Sequence, residues 1–129
     1  INKQAAKNGR IIDVLLQVHI ANEETKFGLD EKEIIELLDY YTAQQDAMNN
    51  VRICGLMGMA TNTDNEQQIR FEFDRLYAVF KNLSQSYFLG NQYFSTVSIG
   101  MSSDYSIAIA AGGNMVRIGS LLFGERNYA

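Results

Sequence analysis

Ser98-Ile99-Gly100-Met101-Ser102-Ser103-Asp104-Tyr105, followed by Met115-Val116-Arg117-Ile118-Gly119-Ser120-Leu121-Leu122-Phe123-Gly124, is the stretch that decides between the folds open to this chain. In each piece a short aliphatic run ends at or beside a glycine, followed by hydroxyl residues at a helix start. Glycine permits close backbone approach, and a helix start presents unpaired N–H groups at the positive end of the dipole. Both pieces therefore read as anion-binding strand ends. An N-cap role for Ser102 or Ser103 explains the first piece equally well. In the second, Arg117 points to the opposite face from Val116 and Ile118, so it needs water, a polar ligand or a structural ion pair. Gly119-Ser120 offers N–H groups and a hydroxyl just past that strand end.

Outward from this stretch, four aliphatic runs alternate with longer amphipathic segments, the pattern of βα units around a parallel sheet. The first run, Ile11 to Ile20, has Val14, Leu16, Val18 and Ile20 on one face. Leu15, Gln17 and His19 lie on the other, which turns polar toward the strand end where parallel sheets collect ligands. After a loop over Ala21 to Leu29, Asp30 and Glu33 form a capping box for a helix with the stripe Ile34, Ile35, Leu37, Leu38 and Tyr41. The second strand spans Val51 to Met59. A helix capped near Thr63 or Asp64 follows, with Ile69, Phe73, Leu76, Phe80 and Leu83 spaced by fours and threes. The third strand spans Thr96 to Gly100, the third helix Ser103 to Ala111 with a stop at Gly112, and the fourth strand Met115 to Ile118.

Neither a linker nor a proline interrupts these units, so residues 1–129 are expected to be one portion of a single domain. The segment Lys3 to Asn8, stopped by Gly9, reads as a helix tail and, without an initiator Met, predicts sequence upstream. Four βα units make either a small open sheet or half of an eight-stranded barrel, for which about 250 residues is typical. Such barrels bind phosphate with the loops after their last two strands and a short extra helix, the parts that the opening stretch supplies in order. The expected fold is therefore α/β, the C-terminal half of a (β/α)8 TIM-type barrel.

Composition limits the function. The chain is 47% hydrophobic and 20% charged, as ordinary globular domains are. A net charge of −4, a pI of about 4.9 and the absence of a long like-charge run argue against a nucleic-acid partner. Cys54 is alone, so no disulfide framework exists and a reducing, cytoplasmic setting is expected. No apolar run approaches the roughly 20 residues of a membrane span, so no membrane partner is expected. Glu23-Glu24 and the scattered aspartates lack metal-ligand spacing. Asn82-Leu83-Ser84 matches a glycosylation sequon but falls on a predicted helix.

Several ordered segments carry a resemblance: Gly100-Met101-Ser102-Ser103-Asp104-Tyr105, Ala108-Ile109, Gly112, Met115 to Ser120, Phe123-Gly124 and Arg126. Upstream, Asp13 to Val18, Asn22-Glu23-Glu24-Thr25-Lys26 with Gly28, and Arg52 to Ala60 agree with it. Together these resemble the pyridoxal phosphate homeostasis protein family, which is similar to the barrel domain of alanine racemases. The resemblance implies a pyridoxal 5′-phosphate (PLP) cofactor, its phosphate contacted by Ser102, Gly119 and Ser120, with Met101 beside it and Arg117 hydrogen-bonded to the pyridine nitrogen. An always-charged donor there keeps the nitrogen unprotonated and weakens the ring as an electron sink. Ser120 stands where the family often has threonine, which keeps the hydroxyl. His19 stands where the family commonly shows asparagine, and no catalytic role is expected of it.

By the same resemblance the Schiff-base lysine lies on an early strand, in the half absent from this chain. Lys3, Lys7, Lys26, Lys32 and Lys81 fall in predicted helices or loops instead. No second domain is expected after Tyr128-Ala129. The implied function is non-catalytic PLP homeostasis, with the full-length protein a monomer and the isolated piece associating through unpaired strand edges. Two rival readings are an amino-acid racemase, which needs a second acid/base, and a stand-alone phosphate-binding module.

Overall fold

The computed structural model describes residues 1–24 and 27–125. In chain order these form α1 (Asn2–Lys7), β1 (Ile12–Val18), α2 (Glu31–Ala43), β2 (Val51–Gly58), α3 (Glu66–Gln85), β3 (Thr96–Met101), α4 (Tyr105–Ala110), β4 (Met115–Arg117) and α5 (Ser120–Phe123). The strands make one parallel sheet in the order β1-β2-β3-β4. Each crossover advances one strand in the same direction, so right-handed connections place the intervening helices on one face. A doubly wound sheet reverses direction at a switch point. The unreversed order found here is that of an arc of barrel wall, which agrees with the half-barrel expected from the sequence.

α2 and α3 begin where side chains satisfy their first N–H groups. Asp30 Oδ1 accepts from Glu33 N at 2.8 Å and Glu33 Oε2 accepts from Asp30 N at 2.9 Å, the expected capping box. α3 starts later than its sequence suggests. Asn65, not Thr63 or Asp64, is its N-cap and accepts from Gln68 N at 3.1 Å. α4 is also shorter than expected: its N-cap is Asp104, so neither Ser102 nor Ser103 caps it. The strands lose their expected terminal residues, β1 ending at Val18 and β4 at Arg117, whereas β3 gains Met101.

The core lies between the sheet and its helices. Ile53 and Leu56 of β2 and Val97 and Ile99 of β3 pack with Ile69, Phe73, Leu76 and Leu83 of α3, all buried. Phe73 and Leu76 lose all exposure, each worth roughly 1.5–3 kcal/mol of transfer free energy. α2 buries Ile34 and Leu38, but Ile35 and Leu37 of its expected stripe remain exposed.

Candidate functional site

The C-terminal ends of β3 and β4 are held together by one hydroxyl. Ser102 Oγ accepts from Gly119 N and from Leu121 N, each at 3.2 Å. These N–H groups belong to the N-cap and the first turn of α5, so Ser102 occupies an acceptor position at a helix start. The β3 turn is itself fixed by Asp104, a buried carboxylate whose Oδ1 accepts from Met101 N at 2.7 Å. Gly100 enables the turn: its φ is +95°, and a Cβ there would lie 2.7 Å from that of Ala108. Gly119 differs, because a Cβ built on it would meet nothing within 4 Å. Packing in the fold does not demand a glycine at 119, and the space where a side chain would lie is open. Ser120, the first residue of α5, is exposed next to it.

Arg117 ends β4 opposite Met101 of β3 and reaches over to β2, where its Nη2 donates to the Gly58 carbonyl at 3.4 Å. Its Nε is buried and has no hydrogen-bond partner. A stranded buried donor of this kind costs about 1–3 kcal/mol, so a missing acceptor is the natural explanation. The sequence alternative of a structural ion pair finds no support, since among the described residues no carboxylate pairs with Arg117. The structure thus gathers Ser102, Arg117, Gly119 and Ser120 at one end of the sheet. Met101, at the end of β3, borders a cleft of about 330 Å³ that also touches Thr61, Ser103 and Asp104.

His19 lies just beyond β1, where its Nε2 is 3.0 Å from the Glu23 carbonyl and must donate the proton. This bond fastens the loop that follows β1. Lys3 and Lys7 sit on α1, Lys32 on α2 and Lys81 on α3, none of them on a strand. Lys26 and Arg126 lie outside the described residues. Among the described residues no group of three His, Cys, Asp or Glu could hold a metal, and no helix is long and apolar enough to cross a membrane.

Sequence reasoning missed a second network behind the strand ends. The buried Glu72 carboxylate accepts from Thr61 N at 2.6 Å, Thr61 Oγ1 at 2.7 Å and Gln68 Nε2 at 3.1 Å. Thr61 Oγ1 in turn accepts from Asn22 N at 2.8 Å, and Glu23 Oε1 accepts from Asn62 N at 2.7 Å. The available signal was a glutamate within the apolar face of α3, between Ile69 and Leu76, where a charge needs partners.

The opposite end of the sheet carries a different cluster. Arg52 makes a two-point contact with Asp13 at 2.7 and 3.0 Å and lies 4.0 Å over the Tyr93 ring. The Arg52 hydrogen bond holds the Asp13 carboxyl below its ordinary pKa. Burial pushes the nearby Cys54 thiol up, which keeps it protonated and unreactive. In parallel barrels this N-terminal end serves stability rather than chemistry.

The family model for the alanine racemase N-terminal domain matches residues 1–127. The pyridoxal phosphate homeostasis protein of Aquifex aeolicus is 38% identical over 128 residues, covering 99% of this chain and 53% of that protein. Its counterpart in Haemophilus influenzae is 34% identical over 129 residues, covering 100% of this chain and 52% of that protein. A solved structure of PipY from Synechococcus elongatus with PLP bound superposes with a TM-score of 0.76 at 27% identity, covering 95% of this chain and 54% of that one. The chain spans about half the length of the curated relatives it matches.

Proposed function

This chain belongs to the alanine racemase N-terminal domain family, and we propose that it is the C-terminal half of a PLP-binding barrel domain serving cytoplasmic PLP homeostasis. The observation that carries the reading is the orphaned Arg117 Nε, a buried cationic donor aimed at no acceptor, at the end of the strand that leads into the Ser102–Gly119–Leu121 cluster. PLP offers a phosphate for the cluster and a ring nitrogen for the arginine, so these residues fit the group. When bound, it supplies an aldehyde that condenses with amines and a ring that withdraws electrons once its nitrogen is protonated.

The residues present favour holding over reacting. In the proposed site the phosphate replaces Ser102 Oγ as acceptor of the Gly119 N–H, the hydroxyls of Ser102 and Ser120 donate to it, Met101 flanks them, and the open space at Gly119 admits its oxygens. Arg117 donates to the ring nitrogen and, being always charged, withholds a proton from it. That weakens broad carbanion chemistry and favours a carrier over a racemase. The lysine that tethers the cofactor belongs to the other half of the barrel. There the two unpaired edges, β1 and β4, also find their partners, completing a monomeric full-length protein.

The test is PLP retention by the full-length protein after desalting. Arg117→Ala and Ser120→Ala are each expected to release the cofactor faster than the parent. Unchanged retention in both overturns the proposal.

A further inference from the structure

We infer that Glu72 of α3 is a positioning residue for the ligand site, acting through the segment Gly58–Thr61 to aim the Arg117 guanidinium. The inference rests on the proposed PLP site but concerns residues that do not touch the ligand. Glu72 is 4% exposed, and among the described residues no cation pairs with it. A buried carboxylate without a counter-charge persists only where donors surround it. Its donors are the Thr61 N–H, the Thr61 hydroxyl and the Gln68 amide, at 2.6, 2.7 and 3.1 Å. Two of the three come from one residue of the β2 exit loop, so Glu72 grips that loop at a single point.

One helical turn on, Leu76 grips the same segment at its other end. A Cβ added to Gly58 would lie 2.4 Å from Leu76 Cδ1 and 3.0 Å from Ile20 Cδ1, so Gly58 is seated directly on the core. Residues i and i+4 share a helix face, and here that face contacts both ends of Gly58–Thr61. Between these anchors the Gly58 carbonyl accepts from Arg117 Nη2. Thr61 also ties in the β1 exit loop through Asn22 N, so one carboxylate sets the position of two loops at the mouth. The glutamate is costly to bury and the apolar face of α3 is otherwise continuous, which makes a positioning role a better account of it than stability.

Glu72→Gln keeps the size but places an amide, itself a donor, against the Thr61 donors. The probe is pyridoxamine 5′-phosphate, which has phosphate and ring but no aldehyde, measured by equilibrium dialysis against the full-length protein. Glu72→Gln is expected to weaken binding about five- to tenfold, the scale on which supporting residues modulate a site. In an Arg117→Ala background the same change is expected to shift affinity less than about twofold, because residues in one network are non-additive. Glu72→Asp, which keeps the charge, should restore part of the affinity. If Glu72→Gln fails to fold, Thr61→Val decides, since it removes the hydroxyl with its bonds to Glu72 and Asn22 N, leaves the Thr61 N–H bond to Glu72, and carries the same expectation. A lowered melting temperature with affinity unchanged, or equal losses with and without Arg117, overturns the inference. A parent protein that does not bind the probe overturns the PLP reading itself.

Discussion

Replacing Arg117 with methionine should move stability and binding in opposite directions. In the structure Arg117 Nε is buried without a partner, and the Nη2 bond to the Gly58 carbonyl, at 3.4 Å, is longer than the usual limit of about 3.2 Å. The stranded donor costs about 1–3 kcal/mol, while the long bond offsets little of that. Methionine has a similar reach, is apolar and fills irregular space, so Arg117→Met should stabilise the ligand-free protein by about 1 kcal/mol. In a domain of 150–250 residues that corresponds to a rise of about 2–4 °C in melting temperature. With ligand the sign reverses. A hydrogen bond from a charged group contributes about 1.5–3 kcal/mol, and its loss weakens binding about 10- to 150-fold. Thermal melts without ligand and equilibrium dialysis with pyridoxamine 5′-phosphate measure the two quantities on one preparation. A ligand-free variant that melts below the parent and binds as tightly would refute the reasoning, because Arg117 would then be a structural residue.

Three further outcomes follow from the glycines and from the far end of the sheet. Gly119→Ala should change urea stability by less than about 1 kcal/mol, since the new methyl meets nothing, yet it should weaken pyridoxamine phosphate binding by filling the phosphate space. Gly100→Ala should cost about 2–4 kcal/mol in the same unfolding assay, because its positive φ and the 2.7 Å approach to Ala108 leave no room. Asp13 has a folded pKa below its unfolded value, so its pairing with Arg52 stabilises the protein above the unfolded pKa of about 3.9 and is lost as pH falls through the folded value. Asp13→Asn should therefore flatten the acid limb of a stability-versus-pH curve below about pH 4 and leave its slope near neutrality unchanged.

The sequence made the βα alternation legible because aliphatic runs and helical stripes report burial directly, and Ile69, Phe73, Leu76 and Leu83 are buried as their spacing requires. The capping box at Asp30 was equally plain, since both of its bonds are local. Boundaries were less so. Ser103, Thr63 and Asp64 are good caps by residue type, but Asn65 caps α3, and Asp104 holds the N-cap position of α4 without a capping bond because its carboxylate closes the β3 turn on Met101 N instead. Ser102 stands out in the sequence as a hydroxyl at a strand end, but its partners Gly119 N and Leu121 N lie on another strand end and no local pattern reveals them. The Glu72–Thr61 pairing stayed hidden for a related reason: it joins residues on different elements, and only the odd glutamate in an apolar face advertised it.

The most direct test of the whole account is a crystal structure of the full-length protein soaked with PLP. The phosphate should lie within hydrogen-bond distance of Gly119 N and the hydroxyls of Ser102 and Ser120, with the ring nitrogen facing Arg117. Phosphate density in the cleft bordered by Thr61 and Asp104, or a ring turned away from Arg117, would contradict it.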